Sequence, residues 1–325
     1  MTLRTACVAL LALLSLPSIA RAQSAVGSGW ALDRFDPAPQ GEGFLLAEHP
    51  RYARAWGLAL GATLEVAAAP LVLQRQYADR HFEEIPIVSS MFVAHLGASA
   101  SFAGRFGADF ALPIALAQTG NEALLGTVVL APASGASVGD ARLGGRVRIV
   151  GRAGVDAFSL HAGVWLWLPT GSRAGNTGDG ALRVEPRIIA AGAVGIVRWS
   201  LTGGVRVRRA FDALNVVLGP ELRLTAAVGV ELLRGRLRVG PEAYLVSPLG
   251  KLPDGVSSAF FASGQWGLEA LLGAHVALPG GLLVGVGGGV GFERSVGVPA
   301  ARFALSFTWR GPAHDPINAL VGAAR

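Results

Sequence analysis

Charged residues recur at even spacings along this chain, and the spacing limits what they can do. Arg142, Arg146 and Arg148 form one set, and Glu185 with Arg187 a second. Arg198, Arg206 and Arg208 follow, then Glu221, Arg223 and Glu231, then Arg238 and Glu242, then Glu269 and His275, and finally Arg302. In an extended strand, residues at even separations project to the same side. Guanidinium and carboxylate groups gathered inside a closed wall have two uses. They pair into a ladder that fills and stiffens the interior, or they line a narrow aqueous path whose arginines favour anions. The spacing leaves both open.

Other motifs carry less chemistry. The run Gly285-Val286-Gly287-Gly288-Gly289-Val290-Gly291 has neither a GK[ST] ending nor G-x-G-x-x-G spacing, so it reads as a glycine-rich strand beside bulky neighbours. His95, His161 and His275 fall on separate segments with no shared ligand spacing, and hydrogen-bonded wall histidines are expected. Ser159 and His161 lie close together, yet no third residue completes a nucleophilic set, so no catalytic residue, metal ligand or cofactor site is assigned. Only Asp179 would offer an acidic ligand between Leu168 and Arg183, and a structured loop is expected there.

The elements positioning these groups have a period of two. From Glu221 to Leu232, Leu222, Leu224, Ala226, Val228, Val230 and Leu232 share one side, and Glu221, Arg223, Thr225, Ala227, Gly229 and Glu231 the other. The composition, 51% hydrophobic and 15% charged, is more apolar than that of ordinary soluble domains. No apolar stretch of about 18 residues interrupts the later sequence. Residues 1–22 read as a signal peptide with Ala20-Arg21-Ala22 before the cut, and their removal lowers the formal charge from +6 to +4. Cys7 lies within that segment, so the mature chain has no cysteine and no disulfide framework. An exported apolar chain without spanning helices predicts an antiparallel up-and-down β-barrel in the outer membrane.

About twelve alternating segments are expected: 53–66, 90–102, 105–117, 140–150, 157–168, 183–194, 198–209, 220–232, 236–246, 265–278, 282–292 and 300–309. Short and long connectors alternate between them, as periplasmic turns and extracellular loops do. Phe102, Phe106, Trp199, Trp266, Phe292 and Trp309 fall near segment ends, where interfacial aromatic girdles sit. Residues 23–52, with Pro37, Pro39 and Pro50 and no clear period, read as a periplasmic lead-in, and residues 311–325 as a short tail.

Several stretches resemble a known family. They are Arg34-Phe35-Asp36-Pro37-Ala38-Pro39-Gln40-Gly41, Pro70-Leu71-Val72-Leu73, Gly139-Asp140-Ala141-Arg142-Leu143-Gly144, and Trp167-Leu168-Pro169-Thr170-Gly171 followed by Thr177-Gly178-Asp179-Gly180. Together they resemble the N-terminal barrel region of OmpA-family proteins from myxobacteria. The Leu-Pro-Thr-Gly element resembles, more weakly, barrels associated with meta-pathway phenol degradation. The resemblance implies an outer-membrane barrel; the family's peptidoglycan-binding domain is not carried over, because only sixteen residues follow Trp309. The expected partners are outer-membrane lipid, the barrel-assembly machinery and small anionic solutes, with no nucleic acid. The expected role is structural or passive small-solute passage through a monomeric barrel. The alternative is an outer-membrane enzyme or an adhesion or binding module acting through its loops.

Overall fold

The computed structural model describes residues 29–311 apart from 78–79, 126–127, 214–215, 252–254 and 256. The expected signal peptide and all but the first residue of the expected tail therefore lie outside the described residues. Twelve long strands form one antiparallel sheet: β1 (Trp56–Gln76), β2 (Phe82–Phe102), β3 (Phe106–Thr119), β4 (Arg142–Val150), β5 (Ser159–Trp167) and β6 (Arg183–Val194), then β7 (Val197–Arg206), β8 (Glu221–Leu232), β9 (Leu237–Pro248), β10 (Gly267–Ala277), β11 (Leu282–Glu293) and β12 (Ala301–Arg310). Each pairs with its neighbours in sequence, and β1 pairs with β12 from Ala59↔Arg310 to Ala68↔Ala301, which closes the barrel. Closure leaves no sheet edge, the condition for crossing lipid with strands. Among the described residues no helix is long and apolar enough to cross a membrane.

The alternation sets inside and outside. On β8, Glu221, Arg223, Thr225 and Ala227 are buried, while Ala226, Val228 and Leu232 are exposed. Leu60, Leu96, Phe110, Ile188, Leu201, Leu272 and Phe303 continue an exposed apolar belt around the wall. A belt of that extent fits hydrocarbon rather than water. The β2–β3 connection turns on Ala103 and Gly104, both at positive φ, 51° and 61°. Two successive left-handed residues match the twist of a tight hairpin.

Two expectations need correction. The expected loop 67–89 is mostly strand: β1 and β2 run 21 residues each and continue as a ribbon. Arg75 pairs with Glu83, Gln74 donates to Glu84, and Tyr77 stacks on His81 at 4.4 Å. These cross-strand pairs carry the ladder past the apolar belt, where polar side chains are solvated. The second correction concerns the expected periplasmic lead-in. Its described part, residues 29–52, lies inside the barrel, and residues 42–50 are all buried. It lacks strand period because it threads an enclosed space whose walls surround it, so no single face needs to be apolar.

Candidate functional site: the occupied lumen

The inner segment begins beside the long-loop end. Ala31 N–H donates to Asp179 at 2.9 Å, and Leu32 N–H to the Asn176 carbonyl at 3.0 Å. It descends to Gln40 and Gly41, folds back so that Ala38 N–H reaches the Leu45 carbonyl at 2.8 Å, then leaves at the short-turn end, where Ala53 N–H donates to Ser101. The fold-back is clamped by the β9 carboxylate Glu242, which accepts the N–H groups of Leu45 (2.9 Å), Leu46 (2.8 Å) and Ala47 (3.3 Å). Phe35, Leu45 and Leu46 pack with Tyr244, Val246, Leu271 and Val298.

Inward glycines make the room. A Cβ on Gly97 would stand 2.6–3.0 Å from Gln40, and one on Gly287 would stand 2.3 Å from Leu45. The glycine run on β11 thus accommodates this segment.

The segment's carboxylates meet the wall's arginines. Asp36 lies 2.5 Å from Arg206, 3.3 Å from Arg223 and 3.4 Å from Arg142. Glu48 lies 2.7 Å from Arg187 and 3.8 Å from Arg146, which also pairs with Glu42 and, at 3.2 Å, with Asp109. Wall arginines also grip carbonyls: Arg142 donates to Pro37 at 2.7 Å and Arg223 to Arg34 at 2.9 Å. The exchange runs the other way at Arg34, which donates to Glu221 at 2.8 Å. Trp165 and Trp167 stand between the guanidiniums: Arg142 and Arg187 lie 4.1 and 4.5 Å from the Trp165 ring, and Arg206 4.1 Å from that of Trp167. Contact with these rings helps hold the arginines in a fixed array.

The remaining residues of the even-spaced sets are placed as follows. Glu185 pairs with Arg206 at 2.8 Å, and Arg208 pairs with Asp179 at 3.0 Å and Glu221 at 3.2 Å. Glu269 binds Arg302 at 2.8 Å and accepts from Tyr244 at 2.7 Å. Glu231 joins Arg198 and Arg238 at 2.6 and 2.7 Å near the turn end. His275 is buried, while Arg148 is only partly so and stands opposite His161 in the strand register. Four acids of the inner segment, Asp33, Asp36, Glu42 and Glu48, escaped sequence reasoning.

Three further clusters bear on chemistry. Asp33, Glu65 and His95 place ligand-type atoms within 4.8 Å of one another. Arg302 pairs with both carboxylates, so a guanidinium supplies the cation there. His161 reaches Ser159 at 2.9 Å and Tyr52 at 3.2 Å. The Ser159 hydroxyl donates to the Ala191 carbonyl at 2.7 Å, and both Ser159 and His161 are fully buried, which describes a structural network. Asp140, just before β4, accepts from Gly171 and Asp179 in the loop after β5 and from Arg183 at the start of β6, and so fixes Asp179 over the start of the inner segment. Burial pushes the Asp179 carboxyl up, but Arg183 and Arg208 outweigh it and hold the group below the usual carboxylate range.

No family model and no curated protein matches the sequence. The fold is shared with known barrels. The crystal structure of an outer membrane channel from Pseudomonas putida F1 superposes with a TM-score of 0.54 at 14% identity, covering 84% of this chain and 99% of that one. The NanC porin aligns more loosely, with a TM-score of 0.47 at 8% identity over 77% of this chain and 97% of its own. The chain is a closed twelve-stranded antiparallel barrel of the outer-membrane type, and the likeness extends to fold alone.

Proposed function

We propose that this chain is an outer-membrane channel for small anions, closed in the described state by its own residues 29–52. The observation that supports this is the pairing of Asp36, Glu42 and Glu48 with Arg142, Arg146, Arg187, Arg206 and Arg223. The segment's carboxylates occupy an arginine array on β4 and β6–β8 much as anionic solutes would. When the segment leaves, guanidiniums held against Trp165 and Trp167 face water, and a ring of fixed cations selects for anions. The family likeness seen in the sequence accords with an outer-membrane location.

A second reading, a permanently filled scaffold acting through its loops, draws support from the small spaces around the segment. Around its deeper part they are about 50, 30 and 10 Å³, too small for a continuous solute path, and the larger spaces of about 280 and 210 Å³ lie where the segment leaves at the short-turn end. Planar-bilayer conductance of the refolded protein and of Asp36→Asn with Glu48→Gln separates the two. Channel function expects a quiet wild type and an anion-preferring conductance in the variant. A folded variant that stays silent, or one that prefers cations, sinks the channel reading and favours the scaffold.

A further inference from the structure

At the short-turn end, where the inner segment leaves the barrel, lies a polar cavity of about 280 Å³. Its wall carries Arg198, Arg236, Arg238 and Arg310 from the barrel and Arg51 from the inner segment, against a single carboxylate, Glu231. Glu231 is already shared by Arg198 and Arg238. Arg51, Arg236 and Arg310 have no carboxylate partner among the described residues, and the Nε of Arg310 is buried without a hydrogen-bond acceptor. His49, buried at the cavity wall, donates to the Gly192 carbonyl through Nε2 and has an unpartnered Nδ1. His275 also lines the cavity, from β10. Like charges gathered in a partly enclosed space repel one another, and five guanidiniums against one carboxylate leave this space with an excess of positive charge.

We propose that the cavity binds a phosphate-type anion, whose several oxygens bridge Arg51 of the inner segment to Arg236 and Arg310 of the barrel and so lock the segment in place. The chemistry follows from the donors. Guanidiniums present paired N–H groups that match phosphate oxygens, and three of them surround a space of small-ligand size. Because Gly43, His49 and Arg51 form part of the wall, the site exists only while the inner segment is docked. An anion that binds only the docked state stabilises it by mass action. The inference rests on the position of the segment and not on conduction.

The test is thermal unfolding of the full mature protein in detergent, followed by heat-modifiable migration, in pyrophosphate and in sodium chloride of equal ionic strength. Isothermal titration with pyrophosphate accompanies it. The expected result is a higher melting temperature in pyrophosphate alone, with saturable binding weakened at least tenfold in Arg51→Gln with Arg236→Gln. Both side chains are exposed, so the variant is expected to fold. A parallel arm compares vesicles of phosphatidylcholine with vesicles containing phosphatidylglycerol. Stabilisation by phosphatidylglycerol but not by pyrophosphate assigns the site to a lipid headgroup phosphate. Equal melting in pyrophosphate and chloride, with no titratable binding and no lipid effect, overturns the proposal. So does binding that the double variant retains in full.

Discussion

Glu242 offers the sharpest perturbation of the docked inner segment. Its carboxylate accepts three backbone N–H groups of the fold-back, two of them at 2.8–2.9 Å. Hydrogen bonds to a charged acceptor contribute about 1.5 kcal/mol each at the low end. Counting only the two short ones, Glu242→Ala removes roughly 3 kcal/mol from docking, because the released N–H groups find water and the docked ones find nothing. That is more than a hundredfold rise in the released fraction, at about 1.4 kcal/mol per factor of ten. Since Cys7 lies in the expected signal peptide, Ala38→Cys supplies a single thiol on the segment. The assay is the rate of maleimide labelling of that thiol in the folded barrel, with and without Glu242→Ala. Heat-modifiable migration confirms that the barrel persists. Acceleration of about a hundredfold is expected, and Glu242→Gln, which keeps one acceptor oxygen, falls between. Labelling within threefold of the Ala38→Cys parent refutes the clamp.

Three other perturbations probe separate contacts. Gly97→Leu places a side chain where Gln40 now sits, so the folded barrel is expected to label faster at Ala38→Cys; unchanged labelling would show that the glycine is not reserved for the segment. Trp165→Ala removes a ring stacked by Arg142 and Arg187, at about 1 kcal/mol per contact plus a cavity cost, and should lower the temperature of heat-modifiable unfolding by several degrees. Asp179 has a lowered pKa, so its stabilisation is complete above the ordinary carboxylate value and is lost as pH falls through its own lower one. Labelling of Ala31→Cys by a pyridyl disulfide, which exchanges with thiols in acid because its protonated pyridine thiol leaves readily, should therefore accelerate only in strong acid relative to a free thiol at the same pH, and Asp179→Asn should show the fast relative rate already at neutral pH.

The barrel was legible because lipid imposes a strict period. Leu222 through Leu232 had to face one side, which placed Glu221 and Arg223 on the other without any knowledge of partners. The inner segment was not legible, because a chain enclosed on all sides obeys no period: Phe35, Leu45 and Leu46 pack in one direction while Asp36 and Glu48 pair in another. Two signals for it did exist. Arg142, Arg146 and Arg148 share a strand face on which Asp140 is the one acid, so counter-charges for most of them had to come from elsewhere. Gly61, Gly97, Gly229, Gly273 and Gly287 all fall on the inward parity of their strands. A lumen wall with that much side-chain volume missing needs an occupant. The mutual placement of Ser159, His161 and Tyr52 depended on the same occupant, since Tyr52 is carried in by it.

The choice of ion pairs to seat the segment is itself informative. Buried salt bridges are poor stabilisers, because apolar residues of similar volume often do as well or better once desolvation is counted. A segment meant only to fill the barrel would be served by apolar packing, and the loop end shows this solution, with Trp30 and Leu32 against Ile87, Met91 and Val93. Mid-lumen, beside the apolar cluster around Phe35, Leu45 and Leu46, the segment adds contacts that are charged on both sides: Asp36 against three arginines, Glu48 against Arg187, Arg34 against Glu221. Such groups lose little when the segment departs, since water hydrates each of them, whereas an apolar lumen would resist wetting. Ion-paired seating lowers the free-energy gap between the filled barrel and a water-filled one. That is the property a reversible closure requires, and it gives no advantage to a permanent scaffold.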